Sequence, residues 1–322
     1  MVIPKDNDND NDNAKKKDII MHIKLSNAPC SWGIEFADNP ANPSWQTVLD
    51  EIAGAGFKAT ELGPLNYLPT EQATLASALD SRGLELIAGT IFKHLHDASR
   101  RQEILDYTRA TCEVLKPQQG NYMVIIDHVS SPRTDEAGQQ ETATRLDDAQ
   151  WSEMMVTIRQ VAEICQEYAV TPVLHPHAGT YIEYRDEVDR AMAELDADLV
   201  KLCIDTGHCT YAGIDPAELI RTYGERVAYI HFKDIQAPVL ESVVKDGIDF
   251  YTAIGQGVFC PLGQGCVDFD AVRESLDSIG YQGWITVEQD VDPTKDNSAL
   301  ENARESREFI ERSILEKGLA EA

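Results

Sequence analysis

The chain has 322 residues, 43% of them hydrophobic, and its 28 basic and 55 acidic side chains leave a net charge of −27. That length suits a single α/β barrel with an insertion, and the acidic field repels phosphate backbones and anionic membrane surfaces, which argues against nucleic acid and membrane as partners. No apolar run approaches the ~20 residues of a bilayer span and Met1–Asp18 holds no apolar leader core, so the expectation is a cytoplasmic protein.

Taken in chain order, residues 5–17 (DNDNDNDN followed by AKKK) are low-complexity and lack an apolar face. This reads as a disordered tail over residues 1–20, with one barrel domain over 21–322. Beyond it, short apolar runs alternate with amphipathic stretches. The predicted strands are Ile23–Pro29, Ala59–Leu62, Leu84–Ile91, Tyr122–Asp127, Thr171–His175, Leu199–Ile204, Val227–Phe232 and Trp284–Glu288. Helices are expected between them, among others over Ser44–Ala55, Arg100–Leu115, Gln150–Tyr168, Pro216–Tyr223 and Phe269–Ile279. Asp215-Pro216 supplies a cap residue and a proline at the first helical position. Eight strands alternating with helices predict a closed (β/α)₈ TIM barrel. A doubly wound open sheet competes, but it wants a glycine-rich turn after the first strand, and Pro29-Cys30-Ser31-Trp32-Gly33 is not one. The seven cysteines form no CxxC pair and read as reduced thiols.

One connection is out of scale. After strand seven, residues 234–267 run without a barrel strand and carry Gly255, Gly257, Gly263 and Gly265. A glycine-hinged lid over the site is the expectation, and an excursion packed on a partner subunit of a homo-oligomer is the alternative.

Barrel active sites lie where strands end. Strand two ends in Glu61, strand four in Asp127-His128, strand five in His175-Pro176-His177, and strand six in Asp205-Thr206-Gly207-His208. Strand seven ends in His231-Phe232-Lys233-Asp234 and strand eight in Glu288-Gln289-Asp290. A lone strand-end histidine is usually structural, but four successive strands ending in His, Asp or Glu are not explained that way. Neighbouring strands lie about 4.8 Å apart, so inward side chains of strands five to eight converge on one ion. The expected ligands are His175, Asp205, His231 and Glu288, and this oxygen and imidazole set suits Mn²⁺, Co²⁺, Fe²⁺ or Zn²⁺, with Mg²⁺ a further option. Glu61, His128 and Trp32 are expected to contact the substrate.

The segments LCIDTGH (Leu202–His208), YIHFKD (Tyr229–Asp234) and WITVEQD (Trp284–Asp290) resemble the xylose-isomerase-like superfamily of sugar isomerases and epimerases. LHPHAGTYIE (Leu174–Glu183) and GVFCPLGQGCVDF (Gly257–Phe269) look most like its inosose dehydratase branch. The resemblance implies the barrel, one divalent metal (Mn²⁺ or Co²⁺ in that branch) at Asp205, His231 and Glu288, and a small polyhydroxylated ketone as substrate. His175 stands where the epimerases carry a metal-binding glutamate, which counts against a two-glutamate epimerase mechanism. Glu183 returns a carboxylate to the site only if its loop folds inward. Glu288, Glu183 or His177 would take an α-proton, Lys233 would donate to the developing oxyanion, and His208 would protonate a leaving hydroxyl. The expected reaction is dehydration through an enediolate, with isomerisation or epimerisation as the alternative.

Overall fold

Runs of β-branched and apolar residues that alternate with amphipathic helices bury both their faces only as a parallel sheet wrapped by helices. The computed structural model, which describes residues 21–295, 298–315 and 319–321, closes that sheet into a ring. Its strands are β1 (Met21–Asn27), β2 (Ala59–Glu61), β3 (Glu85–Lys93), β4 (Tyr122–Asp127), β5 (Thr171–Leu174), β6 (Lys201–Asp205) and β7 (Val227–Phe232). Two short strands, β8 (Asp234–Ile235) and β9 (Phe259–Cys260), precede the last barrel strand, β10 (Trp284–Val287). Each barrel strand pairs in parallel with the next, and β10 returns to β1 with Leu25 opposite Ile285. A terminal β11 (Leu319–Glu321) extends the start of β1. All eight predicted strands are barrel strands. The tail expected over residues 1–20 lies outside the described residues.

The helices are α1 (Trp45–Gly54), α2 (Gln72–Asp80), α3 (Arg101–Leu115), α4 (Asp148–Glu167), α5 (Arg185–Glu194) and α6 (Thr206–Tyr211). They continue with α7 (Pro216–Tyr223), α8 (Ala237–Asp246), α9 (Phe250–Gly255), α10 (Phe269–Ser278) and α11 (Ala299–Ile310). Side-chain caps set several starts: Ser44 accepts from the Thr47 amide, Asp215 from Ala217, and Asp147 with Gln150 closes a capping box on α4. Each such cap contributes roughly 1 kcal/mol. Among the described residues, no helix is long and apolar enough to cross a membrane.

Residues 234–267 fold into α8, α9 and an antiparallel β8–β9 ribbon that pairs Asp234 with Cys260. They carry their own apolar cluster, in which Ile235, Val243, Phe250 and Phe259 meet Val129 and Ala178 of the barrel loops and Tyr211 of α6. Two of the glycines expected to hinge this segment serve a different purpose. The Asp234 carboxylate accepts the amides of Ile235, Gly263, Gly265 and Val267. A Cβ on Gly265 would lie 2.3 Å from Asp234 Oδ1, and one on Gly263 2.3 Å from the Phe309 ring. Only glycine permits that close approach, so this end of the insertion is pinned rather than hinged.

Candidate active site

Strand alternation aims every second side chain into the barrel. On β7 and just beyond it these are Tyr229, His231 and Lys233, all buried. Asp205 lies opposite His231 across the β6–β7 pair, and Glu288 follows the end of β10. His175 follows β5 in the same way. One ligand atom from each of His175, Asp205, His231 and Glu288 lies within 4.8 Å of the others. His231 Nδ1 is 3.2 Å from Glu288 Oε2 and 3.9 Å from Asp205 Oδ2, and His175 Nε2 is 3.7 Å from that same oxygen.

The cluster is held from behind. Asp205 Oδ1 accepts the Gly207 and His208 amides at 2.8 Å, capping α6 and leaving Oδ2 towards the barrel axis. His231 Nε2 donates to Glu61 Oε1 at 3.0 Å, which fixes the ring and turns Nδ1 towards the cluster. Tyr229 Oη donates to the same Glu61 oxygen at 2.6 Å. Gly207 is needed here because a Cβ on it would come within 2.8 Å of Lys233 Cβ.

These residues fit a cation. Asp205 Oδ2 and His231 Nδ1 are buried with no hydrogen-bond partner among the described residues, and they lie 3.9 Å apart. Unpaired buried polar atoms each cost about 1–3 kcal/mol, so two in one cluster call for a ligand that satisfies them. Charge gives the same answer. Asp205, Glu288 and Asp290 surround a single Lys233 ammonium, whose Nζ lies 2.9 Å from both Asp290 oxygens, 3.3 Å from Glu288 and 3.6 Å from Asp205. Burial would raise the Glu288 carboxyl, but the His231 ring and Lys233 outweigh it and hold it well below the usual range. Burial likewise opposes ionised Asp205, and Lys233 followed by His175 reverses it. Burial alone would keep His231 neutral, yet Cys203, Glu288 and Glu61 draw a proton onto it, and that positive charge is what a bound cation displaces.

The remaining predicted residues divide. A cavity of about 1040 Å³ opens above the cluster, and Glu61, His128, His175, His177, His231, Lys233 and Glu288 line it. His177 Nδ1 donates to the Ala178 carbonyl at 2.8 Å, leaving Nε2 as acceptor. Burial and the neighbouring His175 ring push His177 well below the ordinary imidazole range, so it is neutral. Glu61 lines the cavity but spends one oxygen on His231 and Tyr229, so it orients a neighbour before it meets any substrate.

Three residues are not where the sequence suggests. Glu183 does not line the cavity. Its oxygens accept the Gly138 amide at 2.7 Å, the Gly179 amide at 2.9 Å and Arg133 at 3.2 Å, because the loop after β5 folds the carboxylate into a buried network with Arg133 and Glu187. Trp32 sits in a one-turn helix after β1, and its indole donates to Glu51 at 2.6 Å, outside the cavity. His208 is buried behind the wall, with its ring centroid 3.6 Å from that of His177 and Nε2 accepting from Lys233 Nζ at 2.9 Å. It therefore touches two lining residues, Lys233 and His177, from behind.

Sequence reasoning missed Asp290, Cys30, His94, Glu35 and Tyr251, which all line the cavity. Asp290 carried a signal: it stands two residues after Glu288, the spacing that returns a side chain to the same side of an extended backbone. Tyr251 carried none, since only the folding of the insertion brings its hydroxyl 2.6 Å from Glu35.

The chain matches the Xylose isomerase-like TIM barrel family over residues 49–313. An inosose dehydratase of Geobacillus kaustophilus is 35% identical over 294 residues, covering 90% of this chain and 94% of that one. Among solved structures, an IolI protein with a binding zinc atom superposes with a TM-score of 0.70 at 16% identity, covering 92% of this chain and 99% of the other. The probable 3-DHS dehydratase AsbF of Bacillus anthracis gives 0.68 at 15% identity, covering 89% and 98%. These two structural likenesses speak for the fold.

Proposed function

Because the chain belongs to the xylose isomerase-like TIM barrel family, we propose that it is a divalent-metal-dependent dehydratase removing water from an inosose-like 2-keto polyol. The observation that carries this reading is the pair of unpaired ligand atoms on Asp205 and His231, with His175 and Glu288 beside them, at the floor of the cavity. Relatives named inosose dehydratase that align along nearly their whole length, and a structural neighbour with a zinc atom, support it. Mn²⁺ or Co²⁺ is the ion we propose, since two imidazoles and two carboxylates suit either, and we place the enzyme in the cytoplasm.

The residues that would hold the ion are His175, Asp205, His231 and Glu288. Bound there, a divalent ion supplies Lewis-acid polarisation of a ketone oxygen, which acidifies the neighbouring C–H. His177 Nε2, neutral and facing the cavity, accepts the α-proton and returns it to the β-hydroxyl as the C–O bond breaks and the C=C forms. That proton leaves with the hydroxyl as water, so no oxidant or reductant is needed. Lys233 has three N–H bonds. His208 and Asp290 take two, and the third lies among Glu288 and Asp205 at the edge of the cluster, where a substrate oxygen would compete for it. His208 holds both Lys233 and His177 in place. Glu183, committed to Arg133, takes no part.

The test is incubation of Mn²⁺-loaded protein with an inosose in D₂O, followed by NMR and near-ultraviolet absorbance. A dehydrated, conjugated dione is expected. A deuterated epimer, or an aldose–ketose pair with no water lost, would assign the enzyme to the isomerase alternative.

A further inference from the structure

The cavity is larger than a single polyol ring needs. Ligand pockets span roughly 300–1,000 Å³ and the top of that range holds drug-sized molecules, whereas this cavity reaches about 1040 Å³. Its floor is the polar cluster, but its outer half is an aromatic surface. From the cluster the rings step outward: His175 to His177 at 5.7 Å between centroids, and His177 to Phe92 at 6.0 Å. Phe92 stacks on His128 at 4.6 Å and 12°, and His128 on His94 at 4.3 Å and 21°. Phe36 stands 6.3 Å from Phe92 and 6.0 Å from His128. Phe36 and Tyr251 are also the exposed large hydrophobic residues of the described chain, at 40% and 38% exposure, and both line this cavity. Beside them Asn66, held in the left-handed region at φ 76°, and Lys93 offer hydrogen-bonding groups.

We propose that this outer half is a second subsite and that the substrate has two rings. A keto polyol ring would sit over the cluster, and a glycosidically linked sugar ring would lie against the exposed rings of Phe36 and Tyr251, with the Phe92–His128–His94 stack beside it. The C–H groups of a sugar ring carry partial positive charge and match the negative face of an exposed aromatic ring, while its hydroxyls want donors and acceptors at the rim. A polyol ring alone leaves that apolar surface wet. The second ring is retained in the product, and water is lost only from the ring at the cluster. The inference rests on the dehydratase reading for its inner half and stands independently of it for its outer half.

Two measurements test it. In the first, Mn²⁺-loaded enzyme is given a keto-inositol and a ketone-bearing hexose ring linked to glucose. We expect a higher kcat/KM for the two-ring ketone, arising in KM, and a loss of about tenfold in that preference in Phe36→Ala, the upper end of what one aromatic face contributes. In the second, metal-free protein is titrated with an unoxidised disaccharide and with glucose, following the His94 and His128 ring signals by NMR. Disaccharide should shift both signals and glucose should not. Equal kcat/KM for the two ketones, unchanged by Phe36→Ala, would overturn the second subsite while leaving the dehydratase reading intact. Failure to dehydrate either ketone, with disaccharide still bound, would overturn the dehydratase reading and leave the subsite. Failure of the disaccharide to bind would overturn the subsite whatever the kinetics.

Discussion

Asp205 divides its carboxylate between two tasks: Oδ1 caps α6 and Oδ2 is left unpaired in the cluster. Asn caps a helix as well as Asp does, but it brings no charge to an ion. Asp205→Asn is therefore expected to lose bound metal and turnover while the metal-free protein melts close to wild type. Elemental analysis showing full occupancy in that variant would remove Asp205 from the ligand set. Glu61 acts one step further back, through His231 Nε2. Orienting partners of this kind are worth roughly 10–100-fold in metal affinity, so Glu61→Gln should weaken Mn²⁺ binding by about that factor with one ion still bound at saturation. A competition titration giving wild-type affinity would relegate Glu61 to substrate contact alone. Arg133 is the counterpart on the structural side, because it neutralises Glu183 and Glu187 with none of its own side chain exposed. Arg133→Met should cost about 3–5 kcal/mol in a denaturant melt by leaving Glu183 buried without its cation and Glu187 with Arg145 alone.

At the scale of elements, the insertion meets the loop after β1 through Tyr251 of α9, whose hydroxyl donates to Glu35 at the rim of the cavity. Burial lifts the Glu35 carboxyl to about 7, and the hydrogen bond from Tyr251 offsets only part of that. A raised value means that burial at this rim favours the neutral acid, whereas the Tyr251 hydrogen bond favours the ionised one. The buried arrangement therefore keeps its full stability below the ordinary value of 4.5 and loses part of it as pH rises through about 7. Amide exchange in α9, corrected for intrinsic rates, should show easier opening at pH 8.5 than at pH 5.5, and Glu35→Gln should flatten the difference. Equal opening at both pH values in the wild type would refute this closure. The same contact bears on the lid that we propose for residues 234–267: with its far end pinned on Asp234, movement is left to α9, and Tyr251→Phe should raise KM and lower kcat together.

For the whole molecule, the apolar layer between barrel and helices supplies the stability, and the cluster at the strand ends opposes it by gathering acidic groups around one lysine. An ion that binds only the folded state reverses this, contributing about 2.7 kcal/mol at a concentration of one hundred times Kd. Calorimetric melts should thus move upward with Mn²⁺ and return on chelation, and Asp205→Asn should show no such shift. A melting temperature indifferent to both Mn²⁺ and chelator in the wild type would argue that no ion is held there.

The sequence by itself determined the barrel and the floor of the site. Strand alternation and strand-end position are local properties, so Asp205, His231, Glu288 and His175 were legible as a convergent set before any packing was known. The strands themselves were legible to within a few residues, the differences falling where Pro29 opens a helical turn and where β3 runs on to Lys93. What the tertiary structure decided was the direction of side chains on loops. The turn after β5 sends Glu183 to Arg133 rather than to the cavity, the helix after β1 turns Trp32 towards Glu51, and stacking places His208 behind His177. Nothing periodic governs those positions, because a loop side chain goes where distant elements offer it a partner. For the same reason the aromatic outer half of the cavity, gathered from the ends of β3 and β4 and the loop after β1, becomes visible only once the ring is closed.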